Sequence, residues 1–262
     1  MFSLTILGSG SAGNCALVQT ERCRLLVDAG LSARQIVTRL AIAGIDPQTL
    51  DGILITHEHG DHVGGLDVFC KRFAVPVYCN PLTADAIRRT SECNVRELRL
   101  FATGASLSIK DIDVQTFPVP HDAVDPVGFV LCNDGASLGV LTDLGHATKL
   151  VQERVRNVRT LVIETNHDEK MLQNDTRRPW AVKQRIMSRH GHLSNAAAGN
   201  VIVELLNYGL ERVILGHLSR DCNSPEIALA TVKSRLAAAG GAIEVHCASQ
   251  TEVGSRHVIK AA

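Results

Sequence analysis

Short apolar runs separated by polar turns occupy the first half of the chain and predict a framework rich in β-strands. Alternation of apolar and polar positions predicts strands at residues 2–7, 16–20, 24–28, 53–56, 77–79, 106–109, 112–117, 127–132 and 137–141. The tripeptide Asn133-Asp134-Gly135 predicts a tight hairpin between the last two of them. Helical spacing predicts helices at residues 33–43 and 82–91.

The second half of the chain alternates between strands and helices. Strands are predicted at 160–164, 212–215, 243–247 and 257–260, and helices at 179–189, 194–207, 224–239 and part of 146–158. Ser224 followed by Pro225 is typical of a helix start. This order, with no low-complexity linker, predicts one α/β domain over residues 1–262, with sheets inside and helices outside.

Composition narrows the class of protein. The chain has 262 residues, of which 45% are hydrophobic, so a folded core is expected. Basic and acidic residues number 27 each, which argues against a strongly basic nucleic-acid coat protein but allows a local basic groove. The sequence shows no membrane span and no basic leader, and its eight cysteines are scattered. We therefore expect a cytoplasmic protein with buried thiols and no membrane partner.

The segment 56–62, Thr-His-Glu-His-Gly-Asp-His, is the strongest chemical signal in the sequence. It offers four potential metal ligands within six positions: His57, His59, Asp61 and His62. An apolar run at 50–56 precedes it and predicts a buried strand that ends in a polar loop. Side chains at such a strand end can converge on a metal. The alternative is a solvated histidine-rich turn, and the spacing favours a metal site.

Three further residues stand a few positions beyond predicted strands. His121 follows the strand at 112–117, Asp143 follows that at 137–141, and His217 follows that at 212–215. Distant segments of this kind can meet at one sheet edge. His121 could instead cap a turn, and Asp143 could be an ordinary carboxylate at a helix start.

These motifs, together with Asp28 in Val-Asp-Ala-Gly, match in order those of the metallo-β-lactamase fold superfamily of dinuclear hydrolases, which the chain resembles over nearly its whole length. The resemblance implies a four-layer αββα sandwich. It implies one metal ion on His57, His59 and His121, and a second on Asp61, His62 and His217. It further implies that Asp143 bridges both ions and that Asp28 orients the cluster.

The resemblance also implies a chemistry. Two divalent ions, zinc or manganese, would lower the pKa of a bridging water, which becomes the nucleophile. No organic cofactor is expected. The residues expected to take part in catalysis are Asp61, Asp143 and His192.

Three strings point to a subgroup. They are Gly-Ser-Gly-Ser-Ala-Gly-Asn-Cys at 8–15, Glu-Thr-Asn-His-Asp at 164–168 and Gly-His-Leu-Ser-Asn at 191–195. They look like the YycJ/WalJ group of the superfamily, which is similar to ribonuclease Z and is associated with 5′-to-3′ exonuclease activity on DNA. Ala12 and Thr165 depart from the group's commoner serines. The resemblance therefore implies a phosphodiesterase with a nucleic acid substrate, DNA being favoured.

The same resemblance makes His192 the general-acid candidate, with Glu164 as its hydrogen-bond partner. His167 competes for this role, although a surface loop position is the simpler expectation for it. Ser194 is either a helix N-cap or part of a phosphate site.

The loop at 8–14 and the basic stretch near residue 180 leave alternatives open. Ser9, Ser11 and Asn14 either bind a terminal phosphate or simply build the turn. Arg178, Arg185 and Arg189 share a helix face in part, and this face is either solvated or contacts phosphates. Trp180 either packs on the fold or stacks on a base.

Two other functions remain possible from sequence. The same ligands would serve a small-molecule hydrolase that acts on a thioester, a lactone or a cyclic phosphodiester. A non-catalytic regulatory protein is disfavoured by the intact ligand set. Asp143 and His217 are 74 positions apart, which is too short for the inserted domain of β-CASP nucleases.

Overall fold

The computed structural model describes residues 1–90, 95 and 97–261. The end of the predicted helix 82–91 and Cys93, one of the predicted buried thiols, lie outside these residues. The seven described cysteines form no disulfide with one another. None of the described helices combines the length and the apolar character that a membrane span requires.

The described strands form two seven-stranded mixed sheets. The first sheet contains β1 Phe2–Gly8, β2 Cys15–Gln19, β3 Arg24–Val27, β4 Gly52–Leu54, β5 Val77–Cys79, β6 Leu98–Leu100 and β14 His257–Ile259. The second contains β7 Ser106–Ile109, β8 Ile112–Pro118, β9 Val127–Asn133, β10 Ala136–Leu141, β11 Thr160–Glu164, β12 Arg212–Gly216 and β13 Glu244–Cys247. Their orders are β14-β1-β2-β3-β4-β5-β6 and β13-β12-β11-β10-β9-β8-β7.

Helices cover the outer faces of the sheets. They are α1 Ala33–Ile42, α2 Gly60–Val63, α3 Leu66–Arg72, α4 Pro81–Thr90, α5 Lys149–Val155, α6 Glu169–Asn174, α7 Trp180–Ile186, α8 Asn195–Leu205 and α9 Pro225–Ala238, with 3₁₀ turns at Pro47–Thr49 and Leu206–Tyr208. The predicted start of α9 is confirmed, since Ser224 Oγ accepts a hydrogen bond from the backbone N–H of Ile227.

Alternation along the strands divides the hydrophobic core into layers. On β3, Leu25 and Val27 belong to the cluster between the two sheets, whereas Leu26 belongs to the cluster under the helices of the first sheet. A third cluster joins the second sheet to α5, α8 and α9. The predicted four-layer αββα sandwich is confirmed.

Turn chemistry behaves as the sequence predicts. Asn133 pairs with Ala136, so Asp134 and Gly135 form a two-residue hairpin loop. Both have positive φ, 46° and 81°, as this turn type requires.

Several element bounds differ from the predictions. The strand predicted at 53–56 ends at Leu54, because the N–H of Thr56 donates to Asp28 instead of to a neighbouring strand. The helix predicted at 179–189 ends at Ile186. The sequence pattern does not predict the short elements α2, α3, α6 and β6, since four to seven helical residues, or three residues of an edge strand, give too little periodicity.

Candidate metal centre

The ends of parallel strands from both sheets meet at one edge of the sandwich. His57 follows β4 of the first sheet, and Asp143 and His217 follow β10 and β12 of the second. His217 Nε2 lies 3.1 Å from Asp61 Oδ2, so side chains from the two sheets are in direct contact. The sandwich thus brings together residues that are far apart in sequence.

Three histidines form the first group of potential metal ligands. Their ligand atoms lie within 4.8 Å of one another: His57, His59 and His121. His121 donates through Nδ1 to the carbonyl of Gly191, and its Nε2 lies 3.3 Å from Nδ1 of His59. The two ring nitrogens therefore face a common point.

Two carboxylates and two histidines form the second group, again within 4.8 Å: Asp61, His62, Asp143 and His217. Asp143 Oδ2 lies 2.9 Å from His62 Nε2, and its Oδ1 lies 3.4 Å from His217 Nε2. The same Oδ1 is 3.8 Å from His121 Nε2 of the first group. Asp143 therefore stands between the two groups.

The donors of both groups fit divalent metal ions. The buried atom His57 Nε2 has no hydrogen-bond partner among the described residues, and Asp143 Oδ2 has none of acceptable geometry, although His62 Nε2 lies 2.9 Å from it. Buried polar atoms are nearly always satisfied, and a cation would satisfy both. Imidazole and carboxylate are the ligand types that divalent ions such as zinc accept.

Burial and ion pairs shift the pKa values of the ligand candidates. Burial lowers the pKa of His57, which keeps the imidazole in the neutral form that binds metal. Burial also lowers the pKa of His62, but Asp143 and Asp28 outweigh it and raise that pKa well above its usual value. Burial raises the pKa of Asp143, but His217 and His62 outweigh it and hold that pKa well below its usual range.

Asp28 supports the motif from behind. Its Oδ2 accepts a hydrogen bond of 2.8 Å from His62 Nδ1, which leaves Nε2 of that ring for the centre. Its Oδ1 accepts from the backbone N–H and the hydroxyl of Thr56. The Thr56 hydroxyl also lies 3.0 Å from His57 Nδ1. Sequence reasoning missed Thr56, although it stands directly before the histidine motif.

The N-terminal glycine-serine loop braces the site. Asn14 Oδ1 accepts from the Ser9 hydroxyl and from the Gly10 N–H, and its Nδ2 lies 3.2 Å from His62 Nε2. The Ser9 hydroxyl in turn accepts from the N–H of His217. Ser9 and Asn14 are thus engaged in building the turn, whereas Ser11 is exposed beside a cavity.

Glu164 connects the centre to His192. Its Oε1 accepts 2.7 Å and 2.8 Å hydrogen bonds from Nδ1 of His192 and of His217, which confirms the predicted Glu164–His192 pair. Its Oε2 accepts from the N–H groups of Leu144 and Leu193. Burial raises the pKa of Glu164, but His192 outweighs it and lowers that pKa to about 2. Burial lowers the pKa of His192, and the charge of Glu164 outweighs it and raises that pKa.

His192 lines a cavity of about 230 Å³ at the metal centre, together with ligand candidates of both groups. Its side chain is 23% exposed, whereas that of Glu164 is fully buried. With Nδ1 held by Glu164, Nε2 is the nitrogen that remains for a bound molecule.

His167 and Ser194 lie deeper than the cavity. His167 is only 2% exposed, so the expectation of a surface loop is wrong, because this segment lies against the start of α8, where the carbonyl of His167 accepts a hydrogen bond from the N–H of Asn195. Burial lowers its pKa, and the ring is not among those that line the cavity. The Ser194 hydroxyl accepts from the N–H of Ala197, which confirms the N-cap alternative, and it donates to Glu169.

Backbone conformation is strained at three residues of the site. Asp28, Asp143 and His217 have φ of 62°, 50° and 54° in the left-handed region, which costs about 1–3 kcal/mol for each residue that is not glycine. Close packing accompanies this strain, since a Cβ on Gly30 would lie 1.7 Å from the carbonyl oxygen of Asp61. The surrounding fold therefore fixes the positions of these side chains.

The basic stretch near residue 180 is largely neutralised. Arg178 and Arg189 lie outside α7, so the predicted shared helix face is wrong. Arg178 pairs with Asp221 at 2.9 Å, and Arg185 pairs with Asp122. These acidic partners come from distant loops, which helical spacing alone does not reveal.

Trp180 opens α7 and is 60% exposed, so the packing alternative is wrong. Val182, Arg185 and Ile186 of the same helix line the cavity at the metal centre. The exposed indole therefore belongs to a helix that borders the site.

The sequence and structure of the chain are similar to those of known proteins. A family model described as "Beta-lactamase superfamily domain" matches residues 23–218. Exodeoxyribonuclease WalJ of Streptococcus pneumoniae is 36% identical over 241 residues, which cover 91% of this chain and 89% of that protein. Exodeoxyribonuclease YycJ of Bacillus anthracis is 34% identical over 247 residues, which cover 92% and 93%. The metallo-β-lactamase fold protein YhfI from Bacillus subtilis shares the fold, with a TM-score of 0.77 at 16% identity and coverage of 98% and 100%. The chain therefore belongs to the metallo-β-lactamase superfamily, in the group of the WalJ and YycJ proteins.

Proposed function

We propose that this protein is a metal-dependent exonuclease that hydrolyses the phosphodiester bonds of DNA from the 5′ end. The observation that carries the proposal is the meeting of two ligand groups at Asp143, beside an accessible His192. The names of the WalJ and YycJ relatives support DNA as the substrate.

The ligand groups suggest two metal positions. His57, His59 and His121 would hold one ion, Asp61, His62 and His217 would hold the other, and Asp143 would touch both. Five imidazoles and two carboxylates suit zinc or manganese. When bound, two such ions would acidify water and polarise the phosphate oxygens of a diester.

His192 is the proposed general acid. Glu164 holds its Nδ1, so Nε2 faces the cavity and can donate a proton to the leaving oxygen. Because Glu164 also binds His217 Nδ1, one carboxylate would set the acid and a ligand in a fixed relation. Asp61 and Asp143 would use their carboxylate oxygens to hold the metal ions that contact the reacting phosphate.

The core fold itself would grip the substrate. The elements between Asp143 and His217, from α5 to β12, belong to the second sheet and its helices, so we propose one domain without a β-CASP insertion. A grip that depends on few exposed charges predicts modest affinity and a shallow salt dependence, because the slope of affinity against salt scales with the number of phosphates neutralised. The absence of disulfides among the described cysteines supports our proposal that the protein works in the cytoplasm.

An end-labelling experiment tests the proposed function. The protein is stripped of metal, reloaded with zinc or manganese, and given a 5′-phosphorylated single strand labelled at either end. We expect immediate release of a short labelled product from the 5′ label and a ladder of shortening strands from the 3′ label. A circular single strand of the same composition should survive. Asp143→Ala serves as the inactive control.

Two results would contradict the proposal. Cleavage of the circle at the same rate would indicate an endonuclease. No metal-dependent release from any strand, together with turnover of a thioester or lactone, would establish the small-molecule hydrolase instead.

A further inference from the structure

A second and larger cavity lies beside the metal centre. We name it the side chamber; its volume is about 580 Å³, against about 230 Å³ for the cavity at the centre. Residues of three loops line it, including Ser11, Ala12, Leu218, Pro225, Ser249 and Thr251. Ligand pockets for small molecules span about 300–1,000 Å³, so this volume can hold a nucleotide-sized group.

The side chamber and the cavity at the centre are continuous. Ser11, Arg178 and Ser219 line both. The loop that carries Leu218 and Ser219 directly follows the ligand candidate His217, so the chamber begins where the second ligand group ends. A molecule bound across this boundary would have one part at the metal centre and the next part in the chamber.

The chemistry of the chamber suits an uncharged group with polar edges. The hydroxyls of Ser11, Ser249 and Thr251 lie beside the apolar side chains of Leu218 and Pro225. The charge of Arg178 at the boundary is balanced by Asp221. Arg220, which is exposed, also lines the chamber, so the lining offers hydrogen bonds and apolar contact to a nucleoside and one cationic side chain to its phosphate.

The walls of the chamber are held in place by the fold. Gln250 Oε1 accepts from the N–H of Ala12, and its Nε2 donates to the carbonyl of Gly13. The buried guanidinium of Arg39 donates to the carbonyl of Gln250 at 3.0 Å. The loop opposite Ala12 is thus tied to the glycine-serine loop, and a ligand would not have to order it on binding.

We propose that the side chamber binds the terminal nucleoside of a DNA strand, so that the adjacent phosphodiester lies at the metal centre. The inference rests on the proposed exonuclease function and adds a reason for end selection. A nucleoside at a strand end can enter the chamber by itself. An internal nucleoside is linked to further nucleotides on both sides, so the chamber would have to accommodate these nucleotides as well.

Two bulky substitutions on opposite walls test the side chamber. Ala12→Trp and Thr251→Trp reduce its volume from different loops, and Ala41→Trp on the exposed surface of α1 is the matched control. The ratio of kcat/KM for a single-stranded oligonucleotide to kcat/KM for bis(p-nitrophenyl) phosphate is measured for each protein. The small ester carries no nucleoside. We expect this ratio to fall about tenfold or more in both chamber variants and to stay within about twofold in the control.

The outcomes separate this inference from the proposed function. If the wild-type protein hydrolyses the ester but no DNA, the proposed function fails. If it degrades DNA and either folded chamber variant keeps the wild-type ratio, the side chamber is not the nucleoside site. Ala12→Ser adds a single oxygen atom and leaves the volume of the chamber almost unchanged. If loss of volume causes the effect of Ala12→Trp, the serine variant should keep the wild-type ratio.

Discussion

The two halves of the candidate centre are built in different ways. The first sheet supplies His57, His59, Asp61 and His62 from one short segment, which Asp28 and the Thr56 hydroxyl brace locally. The second sheet supplies its side chains from separate strand ends, and Glu164 brings them into relation. In a contiguous motif, the spacing of the residues in the sequence sets the geometry. In a dispersed site, the geometry depends on the register of the strands.

The difference has a consequence for substitution. Loss of Asp28, which supports the motif of the first sheet, should disturb metal binding alone, because Asp28 does not contact His192, the proposed general acid. Loss of a group on the second side should disturb proton transfer as well. Asp143 belongs to both halves, since its two oxygens contact His62 and approach His121.

The largest effect is expected from Asp143→Ala. The change removes the carboxylate shared by both groups and leaves buried imidazoles without their counter-charge. Removing one partner of a buried ion pair costs about 3–5 kcal/mol of folding stability. Bound metal should be lost, and activity should fall by about 10³-fold or more, because the metal ions would supply several kcal/mol of transition-state stabilisation. Metal analysis after dialysis measures the bound metal, and the DNA assay measures the activity. Full metal content with normal turnover would contradict the central place of Asp143.

His192→Ala should separate the two properties. A ligand atom of His192 also lies within 4.8 Å of ligand atoms of Asp143, Glu164 and His217, but its Nδ1 already donates to Glu164, so metal content should stay at the wild-type level. Turnover should fall by about 10²-fold, because a general acid contributes roughly 10²–10⁴ to a rate. Steady-state kinetics with metal analysis of the same sample decides the matter. Unchanged turnover would remove His192 from the chemistry.

Asp28→Asn should weaken the first half only. The amide keeps the shape but loses the charge that holds His62 Nδ1. Partners of this kind are worth about 10–100-fold in metal affinity, so the variant should need more metal for the same rate. A titration of activity against free metal shows this as a shifted midpoint with an unchanged plateau. A lowered plateau at saturating metal would mean that the two halves are not independent in this respect.

Trp180→Ala should give the smallest effect and should spare the centre entirely. The exposed indole belongs to the helix that borders the cavity and can stack on an unpaired base, a contact worth about 1–3 kcal/mol. We expect KM for single-stranded DNA to rise about fivefold with kcat retained. Trp180→Phe keeps an aromatic face and should restore much of the affinity. Equal KM values for all three proteins would leave the indole without a role in binding.

Sequence reasoning succeeded where geometry is local. The hairpin at Asp134-Gly135 and the cap at Ser224 depend on neighbouring residues, and both are confirmed. The resemblance to the superfamily implied a site built from seven ligand candidates, and the structure brings these side chains together in two groups.

Sequence reasoning failed where the decisive partner is remote. The sequence left open whether the arginines near α7 are solvated or contact phosphates, because Asp122 and Asp221, which pair with Arg185 and Arg178, come from other loops. The packing of loops likewise determines three other features: the burial of His167, the position of the Gly191 carbonyl behind His121, and the side chamber. Periodicity and spacing carry no information about such contacts.

Anomalous diffraction from crystals loaded with manganese tests the central claim most directly. The account predicts two peaks in each molecule: one within ligand distance of His57, His59 and His121, the other within ligand distance of Asp61, His62 and His217, with Asp143 touching both. A single peak at full occupancy, or two peaks of which Asp143 touches only one, would contradict it.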